Sequence, residues 1–373
     1  MKVIIIGPLK PIRGGITHSN EILVQNLSKK NEVITISFKR LFPKFLYPGK
    51  FVEEKKETKK NQLLDSINPI NWVKTAKKIN ETKPQVIIFQ WWTTFLFPCY
   101  FIISILTNAK KIAICQNVFP HEEGNFKTIK NTINTILTKI FFEKMNRLIA
   151  MSNSDKEKLT KLYPTKEIGL YLEPIYSIAK NKTLTKAQAK KLLGLKDKNI
   201  ILFFGFVREY KGLKYLIQAM PKIKQSCNAF LLIVGEFWED KKQYFKLISD
   251  LGVKDNIKII DRYIPDKEVP LYFTASDIIA LPYIDISESG IIRVAFGFDL
   301  PILATNVGGN PDHIENNFNG FLVEPKKPEQ IAEKIIKFFN EKLQSKMIKA
   351  MRQKKKELEW SEEKEKNVLG NVE

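Results

Sequence analysis

Two cations, Arg208 and Lys211, stand in a loop between a strand-like run and a helical pattern. The run Ile200–Phe204 is apolar and of strand length, and apolar residues then recur at helical spacing. Gly205 and Gly212 bracket the loop. Because the free amides and dipole at a helix N-terminus attract anions, a guanidinium and an ammonium placed there suit a diphosphate. We predict a phosphate site, with two solvated surface cations as the alternative.

Two further loops follow strand-like segments. Gly14 and Gly15 come after the N-terminal strand "KVIIIG", where they let the backbone approach a ligand, although no G-x-G-x-x-G pattern is present. His121 and Glu122 follow the strand Lys111–Gln116. Ligands of parallel α/β sheets sit at the carboxyl ends of strands, so these loops are candidate parts of a site.

Length and patterning predict two α/β domains. The chain has 373 residues, and strand-like and helical patterns alternate along it, as in mostly parallel sheets. We place one domain at 1–177, to which a last helix at about 355–373 returns, and the other at 178–354. Tyr171–Lys182 is the predicted hinge, because Pro174 stops the preceding strand.

Composition predicts a reduced, cytoplasmic, globular protein. Hydrophobic residues make up 44% and charged residues 27%. The three cysteines are scattered, and the strand that begins at Lys2 leaves no room for a secretory leader. The longest apolar run, Phe95–Leu106, contains Pro98 and is too short to span a bilayer, so it predicts a buried helix.

The charge is +21 and is concentrated in the first half. Residues 1–177 hold 28 Lys and Arg against 14 Asp and Glu, which gives +14. The loop Phe38–Phe51 mixes basic and aromatic residues, a combination suited to an anionic membrane surface, with a plain lysine bias as the alternative. No nucleic-acid module is recognisable, so we predict no nucleic-acid partner. Arginine is scarce, yet Arg208, Arg262 and Arg293 all fall in or beside candidate loops.

An ordered set of segments resembles the GT-B fold glycosyltransferases of the retaining family 4 (group 1) type. They are "RGGITHSNEILVQNL", "GFVREYKGLKYLIQAM", "LLIVGE", "DRYIPDKEVPLYFTASDIIALPY" and "PILATNVGGNPDHI", which together cover nearly the whole chain. The resemblance implies two Rossmann-like domains facing each other across a cleft. It also implies a nucleotide-sugar in the C-terminal domain, an acceptor in the N-terminal domain, and no metal or other cofactor.

The resemblance also implies roles for particular residues. Arg208 and Lys211 would contact the donor diphosphate, and His121 and Glu288 complete the catalytic candidates. The donor-binding candidates are Gly14, Gly15, Gly205, Gly235, Glu236, Arg262, Tyr263, Ile264, Ser289, Gly290 and Ile291. Gln116 and Glu122 are the candidates on the acceptor side.

Two positions depart from the family's pattern. Its two glutamates, eight positions apart, would fall on Ile286 and Val294. Glu288 is the nearest carboxylate, and the amides of Ser289 to Ile291 are an alternative. The family's active-site histidine would fall on Gln116, with His121 as the nearest substitute.

We therefore predict a hexosyltransferase that uses a UDP- or GDP-sugar and a saccharide or lipid-linked saccharide acceptor. Catalysis would be electrostatic positioning around the leaving diphosphate. The alternatives are a GT-B sugar-nucleotide epimerase and a non-catalytic sugar-nucleotide binding protein. A phosphorylase would need a pyridoxal lysine site, which is not recognisable.

Overall fold

The computed structural model describes residues 1–43, 61–116, 127–176 and 184–370, without the side chains of 127–131. His121, Glu122 and most of the basic loop Phe38–Phe51 lie outside these ranges. The chain divides into two compact units. The first comprises Met1–Glu173 with Trp360–Glu373, and the second comprises Pro174–Glu359.

The first unit is a seven-stranded parallel sheet with strand order β3-β2-β1-β4-β5-β6-β7. Its strands are β1 (Lys2–Ile6), β2 (Glu32–Arg40), β3 (Gln62–Asp65), β4 (Val86–Trp91), β5 (Lys110–Cys115), β6 (Arg147–Ala150) and β7 (Glu167–Leu170). Its first five helices are α1 (Gly15–Leu27), α2 (Pro69–Glu81), α3 (Phe97–Leu106), α4 (Lys127–Glu143) and α5 (Asn153–Leu162). The central strands are apolar on both faces because helices cover both faces.

The helices α2, α3 and α4 pack on one face of this sheet through Trp72, Tyr100 and Phe141. The run predicted to be a buried helix does contain α3, but the prediction of burial is wrong at its end, where Ile105 and Leu106 are exposed. A helix lying on a sheet buries one side only, and the residues that face the sheet recur at helical spacing.

The second unit is a six-stranded parallel sheet of order β10-β9-β8-β11-β12-β13. Its strands are β8 (Asn199–Phe204), β9 (Ala229–Val234), β10 (Ile257–Ile260), β11 (Ile278–Leu281), β12 (Ile302–Thr305) and β13 (Gly320–Val323). Its helices are α6 (Lys186–Leu192), α7 (Leu213–Ser226), α8 (Lys242–Asp250), α9 (Val269–Ala275), α10 (Gly290–Gly297), α11 (Pro328–Asn340) and α12 (Gln344–Glu357). The helix predicted after Lys211 is α7, and its apolar stripe is buried.

The last helix, α13 (Glu362–Leu369), belongs to the first unit. Val368 and Leu369 are buried against the face of the sheet opposite α2, together with residues of α1. Trp360 meets Tyr171 edge to face, with ring centroids 6.0 Å apart. The large aromatic near the C-terminus therefore docks on the first unit. Each unit reverses its strand order beside its first strand, as in Rossmann-like sheets.

Candidate functional site

The loop after β8 is shaped by glycines. Gly205 has φ 107° and Gly212 has φ 66°, both in the range that favours glycine. A Cβ on Gly212 would lie 1.9 Å from the carbonyl oxygen of Pro282. A Cβ on Gly235, after β9, would lie 2.0 Å from the carbonyl oxygen of Gly205. The predicted glycines therefore allow the backbones of neighbouring strand ends to touch. Gly212 also forms the turn that leads from the loop into α7.

Lys211 is a buried ammonium beneath this loop. Its side chain ends next to Gly205, where an added Cβ would lie 2.9 Å from Nζ, and Nζ is 5.9 Å from the ring centroid of Tyr283. Burial, and then the charge of Arg208, lower the pKa of Lys211 to about 8. Among the described residues, no carboxylate lies within ion-pair distance of Lys211 or Arg208. The pair is therefore an uncompensated positive site before a helix N-terminus.

Arg208 caps a column of aromatic rings. Its guanidinium carbon is 4.4 Å from the ring centroid of Trp238, which stacks on Phe206 at 4.1 Å. The ring of Phe206 is in turn 6.3 Å from that of Tyr263 and nearly parallel to it. These rings come from the loops after β8, β9 and β10, and they hold the guanidinium by a cation–π contact. Sequence reasoning selected Arg208 and Tyr263 and missed Phe206 and Trp238, although aromatic residues recur just after these strands.

Other predicted donor residues have structural partners. Arg262 forms an ion pair with Glu268 and donates to the hydroxyl of Tyr272 at 3.2 Å. The backbone oxygen of Glu236 accepts from the amide of Val207 at 2.9 Å. Ile264 is buried.

The start of α10 lies close to the loop between Gly205 and Gly212 that carries Arg208 and Lys211. The Cδ1 of Ile291 would lie 4.0 Å from a Cβ on Gly205, and the Oγ of Ser289 is 3.1 Å from the hydroxyl of Tyr283. A Cβ on Gly290 would lie 2.8 Å from the hydroxyl of Tyr176. The fold thus brings Lys211, Arg208 and the α10 N-terminus to one edge of the second sheet.

Glu288 belongs to a buried cluster with Arg293 and His313. Its Oε1 is 3.2 Å from Arg293 Nη2 and 3.3 Å from His313 Nε2. Burial alone would raise the pKa of Glu288, but the charges of His313 and Arg293 outweigh it and hold that pKa below its ordinary value. Burial and Arg293 lower the pKa of His313. The carboxylate of Glu288 thus neutralises a buried guanidinium, and sequence reasoning missed His313 as its partner.

A chain of amides runs along the carboxyl ends of β1, β4 and β5 in the first unit. Asn20 Nδ2 donates to the oxygen of Pro8 (3.0 Å), Gln90 Nε2 donates to Asn20 Oδ1 (3.2 Å), and Gln116 Nε2 donates to Gln90 Oε1 (3.1 Å). A backbone carbonyl only accepts, so the Pro8 oxygen fixes the direction of every bond in this chain. Sequence reasoning selected Gln116 alone.

The second N–H of Gln116 is used as well. Gln116 Nε2 donates to Ser19 Oγ at 3.1 Å, and Ser19 donates to the buried carboxylate of Glu173. Both side-chain N–H groups of Gln116 thus donate to acceptors within the protein. The half-buried Gln116 therefore offers its carbonyl oxygen, a hydrogen-bond acceptor.

Gly14 and Gly15 begin α1 in the same unit. Gly14 has φ 130°, and no heavy atom lies within 4 Å of a Cβ built on either glycine. No atom of the described residues fills the space beside either glycine, as a loop that receives a ligand requires. Among the described residues, no group of three His, Cys, Asp or Glu is arranged to hold a metal ion.

Comparison with known proteins gives the class of the second unit. Residues 185–356 match the family model described as Glycosyl transferases group 1. The chain is 32% identical over 153 residues to spore coat protein SA of Bacillus subtilis, covering 38% of this chain and 40% of that protein. It is 28% identical over 261 residues to a putative glycosyltransferase, YtcC, of the same species, covering 66% and 62%. The chain thus spans less than two thirds of the length of these relatives.

Solved structures extend the likeness to both units. Sucrose-phosphate synthase from Thermosynechococcus elongatus has a TM-score of 0.74 at 15% identity, covering 98% of this chain and 96% of that one. WaaG, a glycosyltransferase involved in lipopolysaccharide biosynthesis, has a TM-score of 0.69 at 16% identity, covering 99% and 100%. At such identities the likeness concerns the fold alone. The prediction of a GT-B fold is confirmed, and the second unit carries the sequence pattern of group 1 glycosyl transferases.

The buried charge of Lys211 generates a stability prediction. Lys211→Met should raise the free energy of unfolding near neutral pH by about 3 kcal/mol, because a pKa lowered from 10.5 to about 8 means that burial disfavours the charged form. The unfolded chain binds more protons between these values, so the wild type gains stability as pH rises from about 8 to 10.5. Urea unfolding at neutral and alkaline pH measures both effects. An advantage of the variant that persists unchanged above pH 10.5 would contradict the assignment.

The cluster around Glu288 generates a second stability prediction. Arg293→Met should lower the free energy of unfolding by about 3–5 kcal/mol, since it leaves a buried carboxylate without its cation. In the wild type, the stability that Glu288 contributes is present above the ordinary carboxyl pKa and lost as pH falls through the depressed value. The variant should therefore lose less stability on acidification. Arg352→Met, which removes the exposed pair with Asp299, is the matched control and should cost at most about 1 kcal/mol.

The chain of amides Asn20, Gln90 and Gln116 generates a third stability prediction. Gln90→Leu leaves Asn20 Oδ1 and one N–H of Gln116 without partners inside the protein, so we expect a loss of about 2–4 kcal/mol in urea unfolding. Gln85→Leu, at an exposed position that accepts from the amide of Lys2, should change stability little. Equal effects of the two substitutions would show that the chain is not a connected buried network.

Proposed function

We propose that this protein is a retaining glycosyltransferase that moves a hexose from a UDP- or GDP-sugar to a saccharide or a lipid-linked saccharide. One observation carries the proposal: a buried lysine and a ring-supported arginine, neither with a described carboxylate partner, stand before a helix in a unit with the group 1 sequence pattern. An anionic ligand would balance the positive charges of these two side chains. The diphosphate of a nucleotide-sugar supplies charge of the right sign and reach.

Named relatives support the choice of donors. A structurally similar Anabaena protein, HepE, has been solved in complex with UDP and glucose. A mannosyltransferase of Mycobacterium tuberculosis, 24% identical over 160 residues and matched over 40% of each chain, is named as GDP-mannose-dependent. Its name gives a phosphatidylinositol monomannoside as the acceptor. A donor with either base and a lipid-linked acceptor therefore agree with what the names of these similar proteins state.

The chemistry we propose is electrostatic. As the bond between the sugar and the diphosphate breaks, negative charge grows on the departing diphosphate. Arg208, Lys211 and the free amides at the start of α7 are already oriented to meet it. The acceptor hydroxyl oxygen then bonds to the anomeric carbon on the face that the diphosphate leaves, and its proton passes to the departing diphosphate. No metal or cofactor is assigned to this step.

The other predicted residues have positioning roles in this proposal. Gly290 and Ile291 would offer amides to the donor, on a helix start that the ion pair of Glu288 with Arg293 holds in place. The Ser289 amide instead donates to the carboxylate of Glu288. Gln116 would accept a hydrogen bond from a sugar hydroxyl through its carbonyl oxygen. His121 and Glu122, outside the described residues, stay predictions, as does a peripheral position at the cytoplasmic face of a membrane.

A ligand screen with matched variants tests the proposal. We expect UDP-glucose or GDP-mannose to raise the melting temperature of the wild type, because a ligand that binds only the folded state stabilises it. Arg208→Gln and Lys211→Met should abolish that rise and reduce acceptor-dependent release of UDP or GDP by roughly a hundredfold or more. Affinity should also fall as pH rises above about 8, where Lys211 loses its proton.

Lys214→Gln is the control. Lys214 is the second residue of α7, but its side chain is 40% exposed and its ammonium lies 3.7 Å from the carboxylate of Glu209. Equal behaviour of Lys214→Gln and Lys211→Met would refute the site. Binding without release of a nucleoside diphosphate would favour the binding-protein alternative. A conversion of the nucleotide-sugar that needs no acceptor would favour the epimerase. The anomeric configuration of a transferred sugar, read by NMR, tests retention.

A further inference from the structure

Exposed aliphatic side chains are concentrated on one helix layer of the first unit. In the described part of the chain, twelve large hydrophobic side chains are exposed, and seven of them lie on α2, α3 and α4. They are Ile70, Val73, Ile105, Leu106, Ile133, Ile136 and Ile140. The second unit has two, Leu192 and Phe245. Isolated exposed apolar residues are ordinary, but a group of this size on one layer marks an interaction surface.

The three helices are neighbours, so their outward faces form one surface. Asn80 on α2 donates to the carbonyl oxygen of Leu106 at the end of α3, at 2.8 Å. Thr94, just before α3, donates to Asn134 of α4 at 2.7 Å. A groove between α2 and α3 is lined by Val73, Ala76 and Leu106 among others. Ile70 and Val73 are 69% and 52% exposed, so these side chains do not belong to the core beneath.

The same faces carry lysines. Lys74, Lys77 and Lys78 on α2 and Lys139 on α4 are exposed beside the aliphatic residues, against the acidic residues Glu81 and Glu143. Glu143 lies 3.8 Å from Lys166, which offsets its charge. The surface is thus aliphatic with a positive excess, in the half of the chain that carries most of the net charge.

We propose that the outward faces of α2, α3 and α4 form a docking surface for an anionic lipid bilayer. Aliphatic side chains enter the boundary between headgroups and acyl chains, while the long lysine stems let the ammonium groups stay at the phosphate level. A second copy of the chain fits less well, because two such faces would oppose lysine to lysine. A bilayer rich in phosphate has the opposite charge. The proposal concerns residues of α2, α3 and α4 only, and it does not depend on the proposed reaction.

No described helix meets the length and hydropathy needed to cross a membrane. The proposal concerns attachment to the bilayer surface, which an apolar helix face with flanking cations achieves reversibly. Lysines close to an anionic surface add attraction that salt weakens, whereas the aliphatic contribution persists in salt.

Sedimentation with vesicles tests the surface, using the full chain. Vesicles of phosphatidylcholine with about one-third phosphatidylglycerol should retain the wild type, whereas pure phosphatidylcholine should retain much less. The triple variant Ile70→Ser, Val73→Ser, Ile136→Ser should bind the anionic vesicles at least roughly tenfold more weakly, since it removes exposed aliphatic area. The variant Lys74→Gln, Lys77→Gln, Lys78→Gln should lose a similar factor at low salt.

Matched controls come from the second unit. Leu192→Ser with Phe245→Ser removes exposed apolar area there, and Lys346→Gln, Lys349→Gln, Lys356→Gln removes an equal number of exposed lysines. Both should bind vesicles like the wild type. Absence of binding to anionic vesicles would overturn the proposal, and so would wild-type binding by the serine variant. A dimer that light scattering shows to be broken by the serine variant would overturn it in favour of a contact between copies.

The vesicle assay is read separately from the nucleotide screen. A serine variant that keeps its response to UDP-glucose or GDP-mannose but loses vesicles would establish the surface as independent of the donor site. If the nucleotide screen fails while vesicles are retained, the proposed function falls and the docking surface stands.

Discussion

The second unit is organised around one constraint, a lysine ammonium held in the interior without a carboxylate. Burying a charge is costly unless something compensates it. In the described part of the chain Lys211 has no carboxylate partner, and its ammonium faces only the ring of Tyr283, 5.9 Å from the centroid. The surrounding structure maintains the arrangement. Glycines allow strand ends to touch where a side chain would collide, and the helix behind the lysine is anchored by a fully apolar stripe. This unfavourable free energy of burying the charge is expected at a site where a ligand supplies the opposite charge.

The two units solve the problem of orientation differently. The second unit uses charge and ring stacking: Arg208 rests on Trp238, and Arg293 is held by Glu288 and His313. The first unit uses hydrogen-bond direction, which passes from a backbone carbonyl through successive amides to Gln116. Either device leaves a polar group in one defined orientation. Preorganisation of that kind is what electrostatic catalysis requires.

The departures from the family's pattern have a physical meaning in this structure. Glu288 is the nearest carboxylate to the two positions where the resemblance expects glutamates. It is matched by the guanidinium of Arg293, so this buried pair adds no net charge. Gln116 lies where the resemblance would put a histidine, and its amide cannot take up a proton at physiological pH. Its contribution is therefore restricted to accepting a hydrogen bond.

The sequence by itself determined the fold class and the position of the loop that carries Arg208 and Lys211. Alternating apolar runs specify strands buried on both faces, and the period of α7 with its flanking Gly212 and cations defines a local unit that needs no distant partner to be recognised. Only the tertiary structure decided which polar groups meet across the chain. His313 lies twenty residues beyond Arg293, and Gln90 lies seventy residues beyond Asn20, so no local period could pair them. The sequence also could not predict the exposed apolar faces of α2, α3 and α4. An apolar residue in a helical pattern can face either the sheet or solvent, and only the packing of the helix decides which.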